Sequence, residues 1–165
     1  MTVNEVGEVL SKKETVNRAV QYAEKGFLCS EAVLLALSEA QGITSEIIPR
    51  IATGFGAGIG RYGEVCGALS GAVMGLGLRF GRSQVSETPQ DTSPYQFGQT
   101  MVNLFASRIG HIRCREILDL DISSDEGRMK YREHNLWELK CRELIRIASE
   151  LSYDLLQANQ PDSKV

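Results

Sequence analysis

No two of the four cysteines stand close enough in sequence to make a C-x-x-C pair. Cys29, Cys66, Cys114 and Cys141 are separated by 37, 48 and 27 residues. That spacing counts against a zinc ribbon, a thioredoxin-type motif and a haem-attachment C-x-x-C-H, so no haem is expected. Basic charge is not in excess either. The 18 Lys and Arg against 21 Asp and Glu leave a net charge of −3, which removes the electrostatic case for binding nucleic acid or an anionic membrane. No apolar run is long enough for a membrane span. Residues 51–78 are interrupted by Arg61 and Glu64, and the clean run 65–78 has 14 residues, short of the ~18–20 a bilayer requires. The opening MTVNEVGEVLSKKE has no basic segment followed by an apolar one, so the cytoplasm is the expected compartment. In a reducing cytosol, four cysteines point to catalysis or metal binding rather than a disulfide framework.

No segment alternates with period two, and this excludes an obvious sheet. Helical spacing is abundant instead. The 165 residues are 42% hydrophobic and 24% charged, the balance of an ordinary globular chain. We expect a single all-α domain over 1–165, a bundle of about six helices. Residues 1–12 and 158–165 are expected to be weakly ordered, with an internal loop at 82–93. Val16, Ala19, Val20 and Ala23 mark a first helix that Gly26 ends. Ala32, Val33, Ala36, Leu37 and Ala40 mark a second, which Cys29 or Ser30 would cap and Gly42 would stop. Pro49 makes a short third helix irregular. Ser93 caps a helix running to about Ile109, and residues 136–156 carry the longest helical pattern.

The chain is organised around residues 53–81, TGFGAGIGRYGEVCGALSGAVMGLGLRFG, in which ten of 29 residues are Gly. The pattern predicts a Gly-rich loop that delivers Cys66 to the start of a buried helix over about 64–80. Gly67, Gly71 and Gly75 share one face of that helix. Each interior Gly costs ~1 kcal/mol relative to Ala, so close approach by a neighbouring helix must offset the cost.

The settings of the cysteines share a feature. Cys29 and Cys66 fall at predicted helix N-termini, where free N–H groups and the helix dipole favour thiolate. Arg113-Cys114-Arg115 and Lys140-Cys141-Arg142 place a cation on each side of a thiol, which also favours thiolate. The bland alternative is that each thiol only fills space in the core, as free Cys often does.

The motif Cys66-Gly67-Ala68-Leu69-Ser70-Gly71 fits C-G-A-x-x-G. It follows GFGAGIGRYGE, with Cys29 upstream and Cys114 and Cys141 downstream. This pattern resembles the redox-active family named C_GCAxxG_C_C, over about residues 26–152. All four cysteine positions and the central motif are present. The resemblance implies a small cytoplasmic helical protein whose cysteines are redox-active or metal-bound, with a functional link to a transporter. A related domain occurs in split-Soret cytochromes, but this chain lacks the haem motif.

Other motifs are weaker. Residues 58–63 satisfy G-x-G-x-x-G, but a dinucleotide fingerprint needs a preceding strand and none is expected. An anion near Arg61 stays open. His111, three residues before Cys114, is a candidate ligand, although a surface or capping role suits a lone His better. Three readings result. In the first, Cys66 and a resolving cysteine, for which Cys29 is the choice, exchange disulfides with an unidentified redox partner. In the second, Cys29, Cys66, Cys114 and Cys141 bind zinc or an iron–sulfur cluster. In the third, the chain is a helical interaction module with inert thiols. A homodimer through the flat Gly/Ala face is a further expectation.

Overall fold

A computed structural model describes residues 10–85 and 93–158. The expected weak order at residues 1–9 and 159–165 and most of the expected loop, 86–92, lie outside them. Within the described residues the fold is all-α. Eight α-helices follow in order: α1 (Lys12–Glu24), α2 (Cys29–Gln41), α3 (Ile47–Ala52), α4 (Gly67–Phe80), α5 (Ser93–Ile109), α6 (Cys114–Leu118), α7 (Asp125–Glu133) and α8 (Arg142–Ala158). A 3-10 turn, Thr53–Phe55, extends α3, and a π-helical turn, Trp137–Cys141, leads into α8.

The local reasons are readable. Ser11 caps α1 in a capping box with Glu14, satisfying N–H groups that the first helical turn leaves free. Leu28 occupies the cap position of α2, and the Glu31 carboxylate accepts from its N–H at 2.8 Å. Gly42, with φ of 66°, ends α2 in the left-handed conformation. Val16, Ala19, Val20 and Ala23 are buried, as their spacing predicts.

Helices α2 and α4 lie at the centre. Leu34, Leu37, Leu69 and Leu76 are fully buried, as are Met101 and Phe105 from α5 and Ile145 and Ala148 from α8. The glycine stripe of α4 meets α2. A Cβ added at Gly71 would stand 2.4 Å from the Ser30 carbonyl oxygen, and one at Gly75 would meet Leu37. Backbone cannot retreat as a flexible side chain can. Gly71→Ala is therefore expected to cost ~1–3 kcal/mol, read as a lower urea midpoint with an unchanged m-value.

Two expectations need correction. The central helix begins at Gly67, not near 64. Residues 64–66 are extended because Val65 forms an antiparallel bridge with Arg113. The Cys66 N–H donates to the Ile112 carbonyl and the Cys114 N–H to the Glu64 carbonyl, both at 2.8 Å. The long C-terminal pattern is also divided, by the π-helical turn that ends on Cys141. None of the described helices is long and apolar enough to cross a membrane.

Candidate functional site

The four cysteines come from four different elements. Cys29 is the first residue of α2 and Cys66 the cap of α4. Cys114 is the first residue of α6, and Cys141 ends the π-helical turn. All four line one cavity of about 400 Å³. Cys66 and Cys114 are buried, whereas Cys29 and Cys141 are partly exposed. None is in a disulfide.

The bridge explains the closest contact. In an antiparallel pair, Cys66 lies opposite Ile112 and Cys114 opposite Glu64, so both cysteines project from the same side of the bridge as diagonal neighbours. The Cys114 side chain is near enough to Cys66 to be the largest influence on its thiol. Cys29 enters from α2 against the same group. A Cβ at Gly67 would stand 2.4 Å from the Cys29 sulfur, so the motif glycine after Cys66 is the residue that lets Cys29 in. Cys141 is held from the far side by the Tyr131 hydroxyl, which donates to its sulfur at 3.3 Å.

Burial reverses the expected thiolate bias. The Cys29 thiol is pushed up to about 11, first by loss of water and then by the nearby Cys66, against the N–H groups of Ala57, Ser30 and its own residue. The Cys66 thiol is raised first by the neighbouring Cys114 and then by burial, although the Ala68 and Leu69 amides favour the anion. Burial pushes Cys141 up to about 12, opposed by the Tyr131 hydrogen bond. Helix-terminus effects are worth about 0.3–1 kcal/mol at exposed sites, whereas full burial shifts a group by up to ~3–5 pKa units. Lys140, expected to favour the Cys141 thiolate, donates mainly elsewhere, to the Ile117 carbonyl at 2.8 Å.

His111 does not join the site. It is exposed, with Nδ1 3.7 Å from Glu116. Among the described residues, no group of three or more His, Cys, Asp or Glu is drawn together tightly enough to hold a metal ion. The rest of the wall was missed by sequence reasoning. Tyr131 and Trp137 line it, as do Arg128 and Arg132 of α7. The one usable signal was that Trp137, the only Trp, stands one helical turn before Cys141.

The G-x-G-x-x-G stretch is neither a helix start nor a strand exit. Ala57, Gly58, Ile59, Gly60 and Arg61 all have positive φ, between 53° and 73°. They form a left-handed turn closed by bonds such as Gly60 N–H to the Gly54 carbonyl at 2.9 Å. The turn aims the Ala57 amide at the Cys29 sulfur and puts Arg61 on the cavity wall.

The four cysteines that line this cavity follow the order written into the name of a known family. The model of the family described as Putative redox-active protein (C_GCAxxG_C_C) matches residues 27–155. The chain belongs to that family. The match takes in all four cysteines and every element that lines the cavity except the end of α1 and the Gly26 turn. Neither the curated proteins nor the solved structures give a match to this C_GCAxxG_C_C protein.

Proposed function

We propose that the four cysteines form one thiol–disulfide redox centre, with Cys66 and Cys114 as the two-electron store. The supporting observation is that these residues are diagonal neighbours on one side of the Val65–Arg113 bridge, held there by backbone hydrogen bonds, with the Cys114 side chain the largest influence on the Cys66 thiol. Cys29 and Cys141 stand nearer solvent and serve as the port. The Cys29 thiolate attacks an external disulfide R–S–S–R and releases one RSH. Cys66 then displaces the second RSH to give a Cys29–Cys66 disulfide. Cys114 attacks the Cys66 sulfur, so that Cys66–Cys114 forms and Cys29 returns to the thiol. Two protein thiols are oxidised and R–S–S–R is reduced to two RSH. This scheme exchanges the roles expected from the sequence, in which Cys66 attacks and Cys29 resolves: here Cys29 attacks, the Cys29–Cys66 disulfide is an intermediate, and Cys114 is the terminal partner.

The number of cysteines favours a second reading. Four thiols around one cavity match the donor set of an iron–sulfur cluster, and N–H groups already face the Cys29 and Cys66 sulfurs. Cys29, Cys66, Cys114 and Cys141 would hold such a group, which supplies one-electron transfer when bound. The cavity is larger than a lone tetrahedral zinc needs, and its sulfurs are not gathered on one point.

Purification without air separates the two. The dithiol reading predicts a colourless protein without stoichiometric iron or zinc, four titratable thiols when reduced, and two after mild oxidation. Visible absorption with iron in proportion to protein would replace it with the cluster reading. Four thiols that resist every oxidant would leave a helical module with inert cysteines.

A further inference from the structure

Among the described residues, three arginines, Arg61, Arg128 and Arg132, line the cavity wall and no Asp or Glu does. Arg128 is engaged by Asp125 and the Ser123 carbonyl. Arg61 and Arg132 are exposed at the mouth and have no ion-pair partner among the described residues. This cationic rim stands on a chain whose net charge is −3. The rest of the wall is largely apolar and aromatic, with Phe27, Leu28, Trp137 and Leu144 among its residues. The volume of about 400 Å³ lies within the range of small-molecule sites, about 300–1,000 Å³.

The placing of Arg61 has a cost. Its φ is 68°, and Ile59, a β-branched residue two positions earlier, has φ of 60°. Non-Gly residues are strained in this region, a β-branched one most of all. A loop needed only to join α3 to α4 could use glycine at both positions. Here the strained turn puts an unpaired guanidinium on the same cavity wall as the partly exposed Cys29.

We infer that the cavity binds a small disulfide bearing carboxylates. Arg61 and Arg132 hold the carboxylates, the apolar wall takes the body of the molecule, and the S–S bond lies against Cys29. The inference rests on the thiol–disulfide reading and names the substrate class of that site. The reaction is the exchange given above: the bound disulfide accepts two electrons and leaves as two carboxylate-bearing thiols, and the chain keeps the Cys66–Cys114 disulfide. Guanidinium–carboxylate pairing is bidentate and charge-assisted, which selects this charge type over neutral and cationic disulfides.

The test uses the reduced full-length protein and three probes: dithiobis(nitrobenzoate) as the anionic disulfide, dithiodipyridine as the neutral one and cystamine as the cationic one. Each probe is its own reference, because wild type is compared with Arg61→Gly and Arg132→Ala. Glycine suits the left-handed backbone at 61, so the first variant relaxes the turn while removing the charge. In each variant, oxidation by the anionic probe is expected to slow about tenfold relative to the neutral probe, and oxidation by the cationic one to quicken relative to it. In parallel, quenching of Trp137 fluorescence by nitrobenzoate, which cannot exchange, should saturate in wild type and weaken about tenfold in each variant. Equal effects of the variants on all three probes, or no saturable quenching, would overturn the substrate assignment while leaving the redox reading intact. Failure of every probe to oxidise Cys66 and Cys114 would instead overturn the redox reading.

Discussion

Replacing Cys114 with serine will stop the site from completing its two-electron cycle and will trap a Cys29–Cys66 disulfide. The effect should be all-or-none, because a hydroxyl cannot take the place of the resolving sulfur. Serine is close to cysteine in size, and the Cys114 N–H bond to the Glu64 carbonyl needs no side chain, so the bridge should survive. Cys66→Ser removes the sulfur shared by both pairings and should abolish internal disulfide formation. Cys29→Ser should behave differently. It removes the port but leaves the Cys66–Cys114 contact, so exchange with bulky disulfides slows at least ~10-fold while small oxidants still close the inner pair. Non-reducing mass analysis of these three variants, with Cys141→Ser as the fourth, reads the outcomes directly. Equal loss in all four would contradict the division into port and store, and would favour a centre that needs four ligands at once.

Raising the pH above about 9 will destabilise the reduced, metal-free chain, and the cause is thiol burial. Cys29 is moved from the ordinary 9.0 to about 11 and Cys141 from 9.0 to about 12. In the unfolded chain both ionise near the ordinary value. Between that value and the folded one, the native state therefore holds more protons than the unfolded state. The slope of stability with pH is then negative. The stabilisation is fully present below about pH 9 and is lost as the pH rises toward 11 and 12. Each group contributes at most about 1.4 kcal/mol per pH unit, so the combined loss is on the order of 3 kcal/mol by pH 11 after allowing for partial exposure. Urea midpoints measured in reductant at several pH values provide the check. Cys29→Ser and Cys141→Ser should each flatten the slope, which separates this effect from alkaline titration of Lys and Tyr. A midpoint that stays level to pH 11 in wild type would show that these thiols are not desolvated as described.

The fold was legible because its signals are local. Periodic apolar residues, Gly26 and Gly42 at helix ends, and a glycine stripe that only a tight helix pair explains can all be read without coordinates. The placing of Cys29 and Cys66 at the starts of α2 and α4 was legible from the local pattern. Their ionisation was not, because the sequence displays helix dipoles and flanking cations but not the loss of water. The bridge between Val65 and Arg113 was hidden as well, for a single bridged pair has no alternation to betray it. Tyr131, Trp137 and Arg132 reach the cavity only through the way α7 and the π-helical turn pack across it. The left-handed turn was half visible. Gly58, Gly60 and Gly63 announced positive φ, but nothing announced that Ile59 and Arg61 would share it.

The central claim is that one particular pair of sulfurs stores the electrons. The measurement that tests it most directly is peptide mapping of the disulfide formed when the fully reduced chain meets one equivalent of oxidant, with free thiols blocked at acid pH. The account predicts a single linkage, Cys66 to Cys114, with Cys29 and Cys141 recovered as blocked thiols. A dominant Cys29–Cys141 linkage, or recovery of all four cysteines as blocked thiols, would contradict it.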